Sequence, residues 1–347
     1  MGSLGVSGNA TPVPQIRVGL ADWTSLPFTR DFVQIRGHMA HGWLGNRRFV
    51  DNVLYHEKIG HARIGGSFPL NLYGGIAHYA KWGGEHPELG PIPSTLEDFF
   101  RVAVAIGGDE NAPPGERDYM LGDHLGAWDF GAFIELTDIQ IKIYRQFPLE
   151  TKDNLKLKSL QDALTGINIQ FDNQRFLNAI TYEFLYTKYQ DGPRRPNPDT
   201  DRDSFRGNEN YYNHYLYLTG WSYNRRTIGT PLFTPRENNL GISNNRVVAH
   251  HLGLNFQLIE NLNTMLKVTY SRNYGNQGPA DEENNPSVSL GEPFDEPKEQ
   301  LSVLFGARFP ITIYNNNINF ISNIAYDNGR LIGNQLGFSI GISKDFR

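Results

Sequence analysis

The chain has 347 residues, a formal charge of −5 and no cysteine. The acidic balance argues against a nucleic-acid partner, and the cysteine count excludes disulfides, thiolate-bound zinc, iron–sulfur clusters and thiol catalysis. Mean hydropathy is −0.47 and no run of 18 apolar residues occurs; this excludes a membrane-spanning helix but not a membrane barrel, whose strands need only every second residue apolar.

Met1 to Asn9 carries neither a basic stretch nor an apolar one, so it is not a signal peptide. Residues 1–13 read as a disordered or artificial N-terminus, and 14–347 as one domain. If the protein is exported, its signal peptide is missing from this chain. The dominant period beyond that point is two. Val33, Ile35 and Met39 oppose Gln34, Arg36 and His38. Tyr55-His56-Glu57 precedes a glycine-rich strand at Arg63–Phe68, and Leu72–Trp82 follows the turn at Pro69–Leu70. Ser94–Val104 predicts a short helix, with Ser94 as cap and Glu97 three residues on. Trp128, Phe130, Ala132 and Ile134 oppose Asp129 and Glu135.

Thr137–Phe147 alternates Ile139, Ile141 and Ile143 against Asp138, Gln140 and Lys142. Leu155–Leu164 reads as a short helix. Phe176–Thr187 alternates Ile180, Tyr182, Phe184 and Tyr186 against Thr181 and Glu183. Two further strands, Val248–Leu258 and Leu262–Ser271, meet at the polar turn Glu260–Asn261. The last three strands run Leu301–Phe309, ending at Pro310, then Ile318–Asp327, then Leu336–Ser343.

This amounts to roughly 12 to 14 strands of about 10 residues, a length that suits a tilted bilayer crossing rather than a soluble sandwich. Long polar connections at Gly83–Phe99, Gly107–His124, Tyr189–Asn210 and Asn273–Glu299 alternate with tight turns. The reading is an all-β, antiparallel transmembrane β-barrel of the outer-membrane type, with Tyr73, Trp82, Tyr186, Tyr270 and Tyr326 in interfacial girdles. The chain stops one residue after Phe346, near the aromatic terminus of such barrels.

Three chemistries are open to the residues. His56, Glu57 and His78 could hold a metal, but the spacing fixes no third ligand. Asp129, Glu135, Asp138 and Glu183 could pair for glycoside hydrolysis, or serve as lumen ion pairs. Trp82, Trp128, Trp221 and Tyr223 with Arg225 and Arg226 supply the aromatic faces and charges that grip an acidic sugar. No catalytic constellation is compelling, and none requires a cofactor.

Two runs are denser than strand patterning needs: Gly220-Trp221-Ser222-Tyr223 through Gly229-Thr230-Pro231, and His78-Tyr79-Ala80-Lys81-Trp82-Gly83-Gly84. With them the chain, from about Pro14 to Phe346, resembles the Wzi family of capsule-assembly proteins in its Bacteroidetes form. The resemblance implies an 18-stranded outer-membrane barrel, of which this chain is an N-terminally truncated part. It implies a monomeric, non-enzymatic, lectin-like protein holding capsular or other surface polysaccharide, amid outer-membrane lipid and lipopolysaccharide. A porin-like channel for small solutes is the alternative.

Overall fold

A computed structural model describes every residue except 1–2, 156, 158–159, 173–175, 191, 193–194, 197–204, 207–208, 278–291, 314–315 and 345–347. Thirteen strands form one antiparallel sheet. They are β1 (Gln15–Ser25), β2 (Val33–Trp43), β3 (Leu54–Ile64), β4 (Leu70–Trp82), β5 (Asp123–Glu135), β6 (Ile139–Pro148) and β7 (Ala163–Phe171). They continue as β8 (Leu177–Tyr186), β9 (Val247–Ile259), β10 (Leu262–Gly275), β11 (Pro293–Ile313), β12 (Asn316–Gly329) and β13 (Gln335–Ser343). Each strand pairs with its sequence neighbours, so the topology is up-and-down from β1 to β13.

The alternation that predicts the strands also sets two chemically different faces. Register aligns Leu70, Ile134, Ile141, Ile169, Ile180, Leu254, Leu266, Phe305, Ile324 and Phe338 across β4 to β13. A parallel row holds Leu72, Ala132, Ile143, Ile167, Tyr182, Leu252, Val268, Val303, Tyr326 and Leu336. Both rows lie on the exposed face, where Leu336 is 77% and Ile324 51% accessible. The opposite face carries Tyr144, Glu183, His251, Thr269, Ser302 and Asp327 in one row. These bond to one another: Tyr144 donates to Glu183 at 2.6 Å, and His251 shares a 2.7 Å bond with Thr269.

The connections alternate ends. Those at 26–32, 65–69, 136–138 and 260–261 are short and share one end, and the last is the turn read at Glu260–Asn261. Those from β2 to β3, β4 to β5 and β8 to β9 are longer and share the other. The long loops read at Tyr189–Asn210 and Asn273–Glu299 lie partly outside the described residues, as does Phe346.

The inner face is packed. Tyr211, Tyr212, Leu216, Tyr217, Trp221, Ile228, Phe233 and Ile242, all from the β8–β9 connection, are buried against Tyr55, Tyr79 and Leu125 of the sheet. Fully burying such side chains stabilises by about 1.5–3 kcal/mol each, so this interior segment is the main core. The N-terminal segment is threaded into it rather than lying disordered. Leu4 is buried, Tyr212 Oη donates to its carbonyl at 2.5 Å, and Ser7 N donates to the Ile228 carbonyl at 3.0 Å.

A second, smaller core lies on the outside. Trp82, Ala80, Val102, Ala112 and Leu121 are buried together where the β4–β5 connection folds back over the sheet. This connection contains α1 (Leu96–Ala103) and α2 (Pro114–Asp118). The cap of α1 differs from the expected one by a residue. Thr95, not Ser94, is the N-cap, and Asp98, not Glu97, closes the box, accepting from Thr95 N at 2.7 Å. The helix expected at Leu155–Leu164 lies partly outside the described residues; α3 (Lys152–Leu155) ends where it was to begin, and Ala163 already belongs to β7.

Three other expectations change. Tyr55-His56-Glu57 lies inside β3, which ends at Ile64, because Gly65 (φ 137°) and Gly66 (φ 61°) turn the chain. β11 runs past Pro310 to Ile313, since proline's fixed φ fits extended backbone and removes only one donor. Of the girdle aromatics, Tyr270 and Tyr326 are exposed on the outer face, but Tyr73 faces inward and Trp82 is covered.

Candidate functional site

The site is built where the β2–β3 connection meets the interior segment. Ser222–Tyr223 pairs with Arg226–Thr227 in a two-residue hairpin. Asn224 and Arg225 turn it with φ of 49° and 62°, the left-handed pair of a type I′ turn. Asparagine tolerates that conformation, whereas arginine does so at a cost of about 1–2 kcal/mol. Trp221 anchors the hairpin from behind. Its Nε1 donates to Asp123 Oδ1 at 2.9 Å, and the Lys81 ammonium stands 4.8 Å from its ring centre. Lys81 also meets Asp123 Oδ2 at 2.6 Å and donates to the Gly220 carbonyl at 2.7 Å.

The β2–β3 connection clamps the hairpin from the side. Arg48 donates to the carbonyls of Ser222 (2.5 Å) and Gly220 (3.2 Å), and Phe49 N donates to Thr219 Oγ1 at 2.8 Å. Burial lowers Arg48 to about 10, opposed by the attraction of Asp123, so the guanidinium stays charged at neutral pH.

Between clamp and hairpin lies a cavity of about 850 Å³, whose polar wall is Arg47, Arg48, Arg225, Asn224, Asn238 and Asn239. Three guanidinium groups and three amides surround it, and among the described residues no carboxylate lines it. The side-chain oxygen of Asn239 is buried without a hydrogen-bond partner among the described residues. Such a wall can hold a carboxylate between guanidinium forks and exchange hydrogen bonds with hydroxyls.

The six residues read from the sequence as a sugar site do not gather in one place. Arg225 lines the cavity, and Tyr223 and Arg226 share its hairpin. Trp221 is buried as the hairpin's support. Trp82 lies under α1, 5.9 Å from Phe99, on the outer face. Trp128 is also on that face, stacked 5.9 Å from Phe130. Arg47, Arg48, Asn238 and Asn239 went unread. The adjacent pairs Arg47-Arg48 and Asn238-Asn239 were visible, but nothing local shows that they meet.

The other two chemistries find little geometric support. His56 and Glu57 point to opposite faces of β3, as neighbours on a strand must. Among the described residues no group of three or more His, Asp or Glu is arranged to hold a metal. Asp129 meets His61 and Tyr73, each at 3.2 Å, while Glu183 takes Tyr144. Two strands, β6 and β7, separate these carboxylates. Glu135 and Asp138 flank the β5–β6 turn.

No protein-family model matches the sequence, and no curated protein matches it. A solved structure does. The chain is similar to Wzi, an outer-membrane protein involved in group 1 capsule assembly in Escherichia coli and a carbohydrate-binding β-barrel. The TM-score is 0.57 at 13% identity, over 98% of this chain and 63% of that one. The chain therefore spans less than two thirds of that protein's length. The likeness shows the fold: an all-β, antiparallel barrel of the Wzi kind.

Proposed function

We propose that the protein is a non-enzymatic, carbohydrate-binding barrel of the outer membrane that serves capsule assembly or surface attachment. The outer apolar rows meet lipid, and the long connections present the cavity at one end. The Bacteroidetes form of the Wzi family remains part of this reading, resting on the Gly220–Pro231 and His78–Gly84 runs. The ligand is an acidic surface polysaccharide, bound by a monomer without a cofactor or nucleic acid. A single observation carries it: three arginines and three asparagines around one cavity that no carboxylate of the described residues lines. The segment around Trp221, buried against Tyr55, Tyr79 and Leu125 of the sheet, speaks against the porin-like alternative.

The test is calorimetric titration of the detergent-solubilised chain with a polyuronate and with neutral dextran. The polyuronate binds and dextran does not. Arg47→Ala weakens binding about tenfold or more, since a charge-assisted hydrogen bond is worth about 1.5–3 kcal/mol. Equal binding of both polymers, or an unchanged affinity in Arg47→Ala, overturns the assignment to this cavity.

A further inference from the structure

Over most of the sheet the outer face is bare and apolar. Across β3 to β5 that changes part-way along each strand. In β3 the outward residues are exposed from Ile64 back to Gly60, but Lys58 is half-buried and His56 buried. In β4 Leu70 and Leu72 are exposed and Ile76 half-buried, and His78, Ala80 and Trp82 are then buried. In β5 Phe130 is exposed and Trp128 half-buried, while Gly126 and His124 are buried. The apolar rows thus end at a polar breach: His56, Lys58, His78 and His124, with His41 paired beside His56.

Helix α1 covers this breach. Phe99 packs edge-on against His56 (5.2 Å) and His41 (6.0 Å), and Val102 is fully buried. Lys58 Nζ donates to the Ala103 carbonyl at the helix's end, and His78 bonds His124 at 2.8 Å. Both ring nitrogens of His56 lack hydrogen-bond partners among the described residues. Groups of this kind are costly against hydrocarbon.

The helix's other side is mostly apolar, with one exposed ion pair, Glu97 with Arg101 at 2.6 Å, beside it. Leu96 (72%), Phe100 (61%) and Val104 (63%) are exposed at i, i+4 and i+8. Met39 and Trp43 of β2, on either side of His41, are also outward and exposed. We infer that α1 is a lipid-facing patch: it seals a polar breach in the barrel wall and presents Leu96, Phe100 and Val104 to bilayer acyl chains in its place. This rests on the membrane reading above, and the test separates the two.

The natural absence of cysteine makes single-site spin labelling direct. Phe100→Cys, Leu336→Cys and Arg225→Cys are each labelled and reconstituted into phospholipid vesicles. Collision with lipid-soluble oxygen is compared with collision with a water-soluble nickel chelate. The oxygen-to-nickel ratio at Phe100 matches that at Leu336 and exceeds that at Arg225. A water-like ratio at Phe100 with a lipid-like one at Leu336 overturns the inference and leaves the membrane reading standing. Shielding of Phe100 from both probes means that protein covers the helix, and also overturns it. A water-like ratio at Leu336 sinks the membrane reading itself.

Discussion

Glu150 shows how burial alone can write a pH dependence into the molecule. Its two carboxylate oxygens accept from Tyr212 N at 3.2 and 3.1 Å beneath the interior segment. Burial pushes its pKa well above the ordinary carboxylate range, and Glu209 nearby adds to the shift, against the Tyr212 bond. A carboxyl raised on folding contributes stability that is complete below its unfolded value, near 4.5, and is lost as pH rises through the folded value. Glu150→Gln removes that loss. The variant should unfold at a higher temperature than the parent at pH 7, and the gap should close as pH falls towards 4.5. Thermal unfolding followed by circular dichroism between pH 4 and 8 reads this directly; a gap independent of pH refutes it. Nothing in the sequence around Glu150 announces its burial, because its cover comes from Tyr212, far along the chain.

At the scale of the element, the hairpin Ser222–Thr227 separates folding from binding. A guanidinium-bearing residue at a left-handed turn position is strained, and strain is tolerated where a side chain has a task. Arg225→Gly relieves the backbone and deletes the charge together. The expected result is an unfolding temperature equal to or above the parent's, with polyuronate affinity reduced about tenfold. A variant that loses both, or keeps both, contradicts the assignment. The strands themselves were legible in the sequence because their alternation is local: β6, β8, β9, β10, β12 and β13 fall close to where Ile, Leu and Phe recur every second residue. Their register joins rows that no single strand displays. The α1 cap was legible only to within a residue, since Ser94 and Thr95 each have an acid three positions on. What stayed hidden was what covers each aromatic. Trp82 lies on the outer face, as a girdle residue should, but residues 83–122 return over it. Trp221 looked like a sugar platform and is a buried prop, because its neighbours Lys81 and Asp123 arrive from β4 and β5.

For the whole molecule, the two faces make opposite demands on the same substitution. Ile324 sits mid-row between Phe305 and Phe338 on the apolar face, whereas Thr269 sits on the inner face between His251 and Ser302. If the apolar rows meet hydrocarbon, an arginine at Ile324 costs about 2–4 kcal/mol near the bilayer midplane. An arginine at Thr269 enters a row that already carries Glu183 and Asp327, so its charge has partners within the wall. Ile324→Arg should therefore fold poorly into lipid vesicles, with a reduced fraction showing the faster migration of an unboiled barrel on a gel. Thr269→Arg should fold like the parent. In a water-soluble sheet protein the difference disappears, since an exposed arginine replacing Ile324 then costs little as well. A folding deficit of Ile324→Arg relative to Thr269→Arg, or its absence, thus decides which solvent the outer face was built for, and does so without a ligand.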